Sequence, residues 1–201
     1  GNFEAALRDV PNQVIPTAWV RAAQARWNPQ PPIGIPMCTI GVDCSGGGDD
    51  PMVIAPRYDG WFAKLIEVPG SEIPPTRPGA HCAGIIVCYR RDIALVIVDL
   101  GGGHGGPIFE RLNENEIECE GFKGAEATTR RTRDKRLKFK NKRSAAIWGF
   151  REALDPDQPG GSSIALDPDD RLLTADLTAA VFDVGSQGIE VESKESVCER
   201  L

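Results

Sequence analysis

Two short apolar runs, Cys38-Thr39-Ile40-Gly41-Val42-Asp43 and Ile93-Ala94-Leu95-Val96-Ile97-Val98-Asp99, each end in an aspartate and lead into a glycine cluster. Runs of this length and composition read as buried strands, the second so continuously apolar that both of its faces should be covered. Glycines 46–48 and 101–103 follow them, so the backbone can turn sharply and a bulky group can approach the strand ends. A single aspartate at a strand end commonly does no more than cap a turn. Two strands that end alike point to a shared site, provided the fold lays them side by side.

The rest of the chain says how that could happen. Met52–Arg57 and Trp61–Val68, joined by Tyr58-Asp59-Gly60, continue the first strand as a three-stranded antiparallel meander. Residues 80–91 carry apolar positions at helical spacing, and a short helix over Ile108–Asn113 and a strand over Ile117–Phe122 follow Asp99. Helices are expected from Asn141 or Lys142 to Leu154 and near Asp170–Phe182, then a strand at Ile189–Ser193 running into a last helix. The order βββ-α-β-α-β-α predicts an α/β fold with a mixed sheet flanked by helices on both faces, the arrangement of a ribonuclease H-like core. In that topology the first and fourth strands are neighbours and Asp43 faces Asp99. Residues 1–38 read as an arm, with a short helix from Ala18 to Trp27 ahead of the proline-rich Asn28–Pro32, and 39–201 as the domain proper.

Composition narrows the chemistry. The six cysteines are unevenly spaced without a C-x-x-C pair, and His81 and His104 are the two histidines, so a zinc site is not expected and a metal would be a hard cation on carboxylate oxygens. No apolar run approaches the roughly 20 residues that span a bilayer, and the N-terminus has no signal-peptide pattern. The net charge is −6, yet ten lysines and arginines against two acids fall between Lys123 and Arg143. That strip (Arg130, Arg131, Arg133, Lys135, Arg136, Lys138, Lys140, Lys142 and Arg143) is either a solvated face or a phosphate-binding surface in an otherwise acidic chain. Neither glycine cluster is followed by Lys-Ser or Lys-Thr, so no P-loop is present. His104 lies in the second cluster, where it could orient a phosphate or water or be a plain loop histidine. Two adjacent carboxylates suit phosphodiester hydrolysis with two Mg²⁺ or Mn²⁺ ions about 3.5–4 Å apart.

At this point a family resemblance emerges. Ile40-Gly41-Val42-Asp43-Cys44-Ser45-Gly46-Gly47-Gly48-Asp49-Asp50 resembles the first acidic motif of the nuclease domains of phage terminase large subunits. Val98-Asp99-Leu100-Gly101-Gly102-Gly103-His104-Gly105-Gly106 through Arg111-Leu112 is similar to their second, and Asn141–Trp148 to the helix start that follows. The opening, from Gly1-Asn2-Phe3 through Ile15–Val20 to Arg26-Trp27, resembles the segment joining a packaging ATPase to the nuclease. The resemblance implies an endonuclease that cleaves concatemeric double-stranded viral DNA in the host cytoplasm, with Asp43 and Asp99 as metal ligands and Asp49 or Asp50 as an accessory catalytic acid. It implies Mg²⁺ or Mn²⁺ as cofactor, and portal protein, small terminase subunit and an upstream ATPase domain as partners of a domain that is monomeric alone. The family's third acidic motif, shaped like Ser-Pro-Asp-x-x-Asp, is expected after Glu192-Ser193-Lys194-Glu195 and does not occur before Leu201, which implies weaker metal binding. A junction resolvase, a hybrid nuclease or a non-catalytic docking domain are the competing readings.

Overall fold

The computed structural model describes residues 9–201; the first eight residues of the expected arm, Gly1-Asn2-Phe3 among them, lie outside the described residues. The chain divides into two compact units, Pro29–Lys123 and the two flanking stretches Gly1–Asn28 and Gly124–Leu201.

The continuous unit is built on a mixed sheet. Strand β1 (Thr39–Asp43) pairs antiparallel with β2 (Met52–Tyr58) on one side and parallel with β5 (Leu95–Asp99) on the other. β6 (Cys119–Phe122) adds parallel to β5. The expected third strand is split into β3 (Trp61–Phe62) and β4 (Ile66–Val68), both paired with β2. Pro56 lies in β2 between the two pairings, and a proline cannot donate to a ladder. β5 also begins two residues later than expected, because Asp92 and Ile93 both adopt positive φ (54° and 52°) while the Asp92 carboxylate accepts the Met37 amide at 2.9 Å.

Alternation sets the core. Ile40 and Val42 of β1, Met52 and Ile54 of β2, and Val96 and Val98 of β5 form one buried face, covered by Cys82, Ala83 and Ile86 of helix α2 (Pro78–Tyr89) and Ile108 and Leu112 of helix α3 (Gly105–Glu114). The intervening Gly41, Val53, Leu95 and Ile97 are half-buried.

The discontinuous unit holds helices α1 (Thr17–Ala25), α4 (Lys142–Leu154), α5 (Arg171–Ala179) and α6 (Lys194–Arg200), with the two-stranded β7 (Phe182–Gly185) and β8 (Gly188–Val191). The expected arm contributes to this core: Val14, Ile15, Val20 and Ala23 are at most 1% exposed. Helix α4 begins where the Asn141 side chain accepts the Ser144 amide, α5 where Asp170 accepts that of Leu173, and α6 where Ser193 accepts that of Ser196. α5 is shorter than its expected 170–182 span, since Phe182 is already in β7. Trp148 packs edge-on to Phe182 at 4.9 Å and tilted against Phe139 at 6.2 Å. Among the described residues, no helix is long and apolar enough to cross a membrane.

A charged clamp ties the last helix down. Arg200 Nε and Nη2 donate to the two carboxylate oxygens of Glu192 at 3.1 and 2.8 Å, and Nη2 also donates to the Ala179 carbonyl at 2.6 Å. The Arg200 bond holds the Glu192 carboxyl below its ordinary value of 4.5. A depressed carboxyl stabilises the fold above its unfolded-state pKa, and that contribution is lost as pH falls through the folded value. Glu192→Gln should therefore cost about 1 kcal/mol at pH 7, a modest figure because the pair is part-exposed, and much less in urea melts at acid pH. An equal cost at both pH values would show that the clamp is not electrostatic.

Candidate metal centre

The parallel register Thr39↔Leu95 through Val42↔Val98 brings Asp43 and Asp99 to the same end of adjacent strands, as the sequence predicts. Asp43 is exposed and Asp99 half-buried. Asp99 Oδ1 accepts the Gly101 amide at 2.8 Å, which turns the chain away just beyond the strand. Helix α3 then starts at Gly105, three residues before its expected start, and any Cβ at Gly105 would overlap the Asp99 carbonyl. Only glycine lets the helix begin this close to the backbone of the strand end.

The loop after Asp43 is fixed as tightly. The buried Ser45 hydroxyl donates to the Asp50 carbonyl at 2.6 Å and accepts the Gly47 amide at 3.0 Å. Gly47 and Gly48 adopt positive φ (96° and 88°), and the loop backbone at Gly48 and Asp50 lies against Gly70, leaving no room for a Cβ there. Asp49 and Asp50 are both exposed in this loop. Sequence reasoning left open the role of His104, whose imidazole lies directly on Gly46 and joins the two glycine loops.

Beside the pair, burial first, then the charge of Asp43, then Cys82 and Asp99, push the Cys44 thiol up to about 12. Both carboxylates thus bear on one part-buried thiol. Among the described residues, no group of three or more His, Cys, Asp or Glu side chains is placed to hold a metal ion. What the strand ends offer is a pair of hard oxygen donors flanked by bare glycine backbone.

The basic strip belongs to the discontinuous unit and is a hairpin. Arg131 bridges Lys138, the Thr132 amide donates to the Leu137 carbonyl at 3.0 Å, and Lys135 at φ 61° makes the turn. Strand alternation turns Thr132 and Phe139 into the core and leaves Arg131, Arg133, Arg136 and Lys138 on the outer face. The strip's charges are not equivalent. Lys140 pairs with Glu190 and Lys142 with Glu126, each at 2.6 Å, while Arg143 donates to the carbonyls of Val191 and Glu192. Arg133 donates to the Glu152 carbonyl and to Gln158, and Arg136 lies 3.7 Å from Asp134. Among the described residues, Arg130, Arg131, Lys135 and Lys138 are exposed without an ion pair.

No protein-family model and no curated protein sequence matches the chain. Solved structures do. The nuclease domain of the large terminase subunit gp2 of bacterial virus Sf6 superposes with a TM-score of 0.67 at 16% identity, covering 94% of this chain and 91% of that one. A single-residue variant of the same domain, solved with calcium, gives 0.66 at 17% identity over 94% and 92% of the two chains. The large terminase nuclease of thermophilic phage G20c, with bound cobalt, gives 0.53 at 13% identity over 94% of each chain. The expected α/β class with its mixed sheet holds, and the chain has the ribonuclease H-like fold of the nuclease domains of phage large terminase subunits.

Proposed function

We propose that this chain is a divalent-metal-dependent endonuclease that cleaves concatemeric double-stranded viral DNA during genome packaging in the host cytoplasm. The observation that carries the reading is the placement of Asp43 and Asp99 at the adjoining ends of parallel β1 and β5. The donor set fits Mg²⁺ or Mn²⁺: two carboxylates at neighbouring strand ends, and glycine turns that leave coordination positions to water and phosphate oxygens. Structures of fold relatives solved with manganese, calcium or cobalt support a divalent ion. Asp43 and Asp99 would hold it, and the chemistry it supplies when bound is water activation and charge neutralisation at the leaving oxygen. Asp49 or Asp50, on the loop that Ser45 pins, is the accessory acid of this reading. Portal protein, small terminase subunit and an upstream ATPase domain are the partners that would choose where to cut. The direct test is conversion of supercoiled plasmid to nicked and linear forms in Mn²⁺, Mg²⁺ or EDTA. Metal-dependent cutting supports the reading; silence in every metal counts against it.

The hairpin supplies backbone grip without sequence preference, since phosphate contacts carry no base information. The charges that do this are the exposed Arg130, Arg131, Lys135 and Lys138, whereas Lys140, Lys142 and Arg143 are occupied within the unit. Arg131→Ala with Lys138→Ala should weaken duplex binding equally for unrelated sequences and flatten the log K against log[salt] slope by about 2. Anisotropy titrations across salt concentrations measure this, and an unchanged slope would reduce the hairpin to a solvated surface.

A further inference from the structure

The geometry points to His104 as the side chain that orients the scissile phosphodiester at the Asp43–Asp99 pair, by donating an imidazole N–H to a non-bridging phosphate oxygen. This rests on the metal-nuclease reading of those two carboxylates. The backbone that carries His104 is tied to Asp99 at two points, the Gly101 amide on the carboxylate and Gly105 against the main-chain carbonyl. The ring itself reaches across to the other loop. A Cβ on Gly46 would overlap Nδ1 and Cε1 of His104, so glycine at 46 is what admits the imidazole. Gly46 cannot recede, because its loop is pinned by Ser45 to Asp50 and lies against Gly70. The ring is thus held by the loops that follow both carboxylates.

Its chemistry suits a phosphate. From Leu100 to Pro107 the chain is Leu-Gly-Gly-Gly-His-Gly-Gly-Pro, so His104 carries the one polar side chain of this turn. It is exposed, and neither ring nitrogen has a hydrogen-bond partner among the described residues. The Nδ1–Cε1 edge faces Gly46, which leaves Nε2 on the outer side of the ring. In the loop that follows Asp99, this is the one side chain that could donate to a phosphodiester held at the two carboxylates. A charge-assisted hydrogen bond to one of its oxygens offsets the repulsion between phosphate and carboxylates and fixes which face of the phosphorus is presented.

The two histidines permit a direct test. Imidazole ¹H–¹⁵N spectra of the whole chain are recorded in EDTA while a short blunt DNA duplex is added, with His81 on the exposed side of α2 as internal reference. The His104 signals should move and those of His81 stay. Equal movement of both, or of neither, would overturn the inference without bearing on the nuclease reading. In the plasmid assay with Mn²⁺, His104→Phe should lower kcat/KM by about 10- to 100-fold, the worth of one hydrogen bond to a charged group. His104→Gln, which keeps an N–H donor, should restore most of the loss, and added imidazole should rescue His104→Ala. A phenylalanine variant that cuts like the parent would overturn the inference. A parent chain that cuts nothing would instead count against the nuclease reading, and the spectra would still decide for or against His104.

Discussion

Asp43→Ala and Asp99→Ala should each reduce metal-dependent DNA cutting by more than about 100-fold, since even an outer partner of a metal ligand is worth 10- to 100-fold. Each removes one of two carboxylates that the parallel register of β1 and β5 sets side by side, and no third acid is grouped with them among the described residues. Asp49→Ala and Asp50→Ala should cost less, because both side chains are exposed on the loop rather than fixed at a strand end. The check is initial rates over a Mn²⁺ series, paired with melting temperature in Mn²⁺ and in EDTA. Binding to the native state raises the parent's melting temperature, and the strand-end variants should lose that rise. If Asp43→Ala still melts higher in Mn²⁺ and still cuts, the ion sits elsewhere.

The second large effect concerns stability. Ile40 is fully buried in β1, packed in one core with α2 and α3 and paired with Pro56 and Val96 of the neighbouring strands. Ile40→Ala should cost about 2–5 kcal/mol, the lost transfer energy plus the cavity left in a core with strands on either side. Ile97, one residue before the β5 partner of Val42 and on the opposite, half-buried face, should cost clearly less when cut to alanine. Urea unfolding followed by fluorescence distinguishes the two, and equal costs would mean that the sheet does not bury the face assigned here.

The strand ends were legible because they depend on short-range pattern: an apolar run, an aspartate and a glycine turn specify Asp43 and Asp99 whatever the rest of the chain does. The concentration of charge in the basic strip was also visible, but not which cations are occupied. Lys140 is tied to Glu190 and Arg143 to the carbonyls of Val191 and Glu192, partners some 50 residues away that no local pattern connects. The contact between His104 and Gly46 was hidden for the same reason, since it joins loops 58 residues apart through a position defined by having no side chain. The break between β3 and β4 had a local signal in Pro56, and β7 had one in Val181-Phe182-Asp183-Val184 ahead of the Gly185–Gly188 turn. The buried role of Val14 and Ile15 was masked by the prolines around them, which make a packed segment look like a linker.

The nesting of Pro29–Lys123 between two stretches that together form the other unit has a consequence for how the chain is made. On the ribosome, everything that builds the carboxylate pair is complete once Lys123 has emerged, and its contacts close over short sequence distances. The enclosing unit must keep Val14, Ile15 and Val20 waiting until α4, α5 and the Phe182 strand are synthesised, and contacts of such long separation form slowly. A nascent chain stalled midway would therefore display a finished sheet with its aspartate pair, flanked by an unsatisfied apolar segment, and that segment is where a chaperone would hold on.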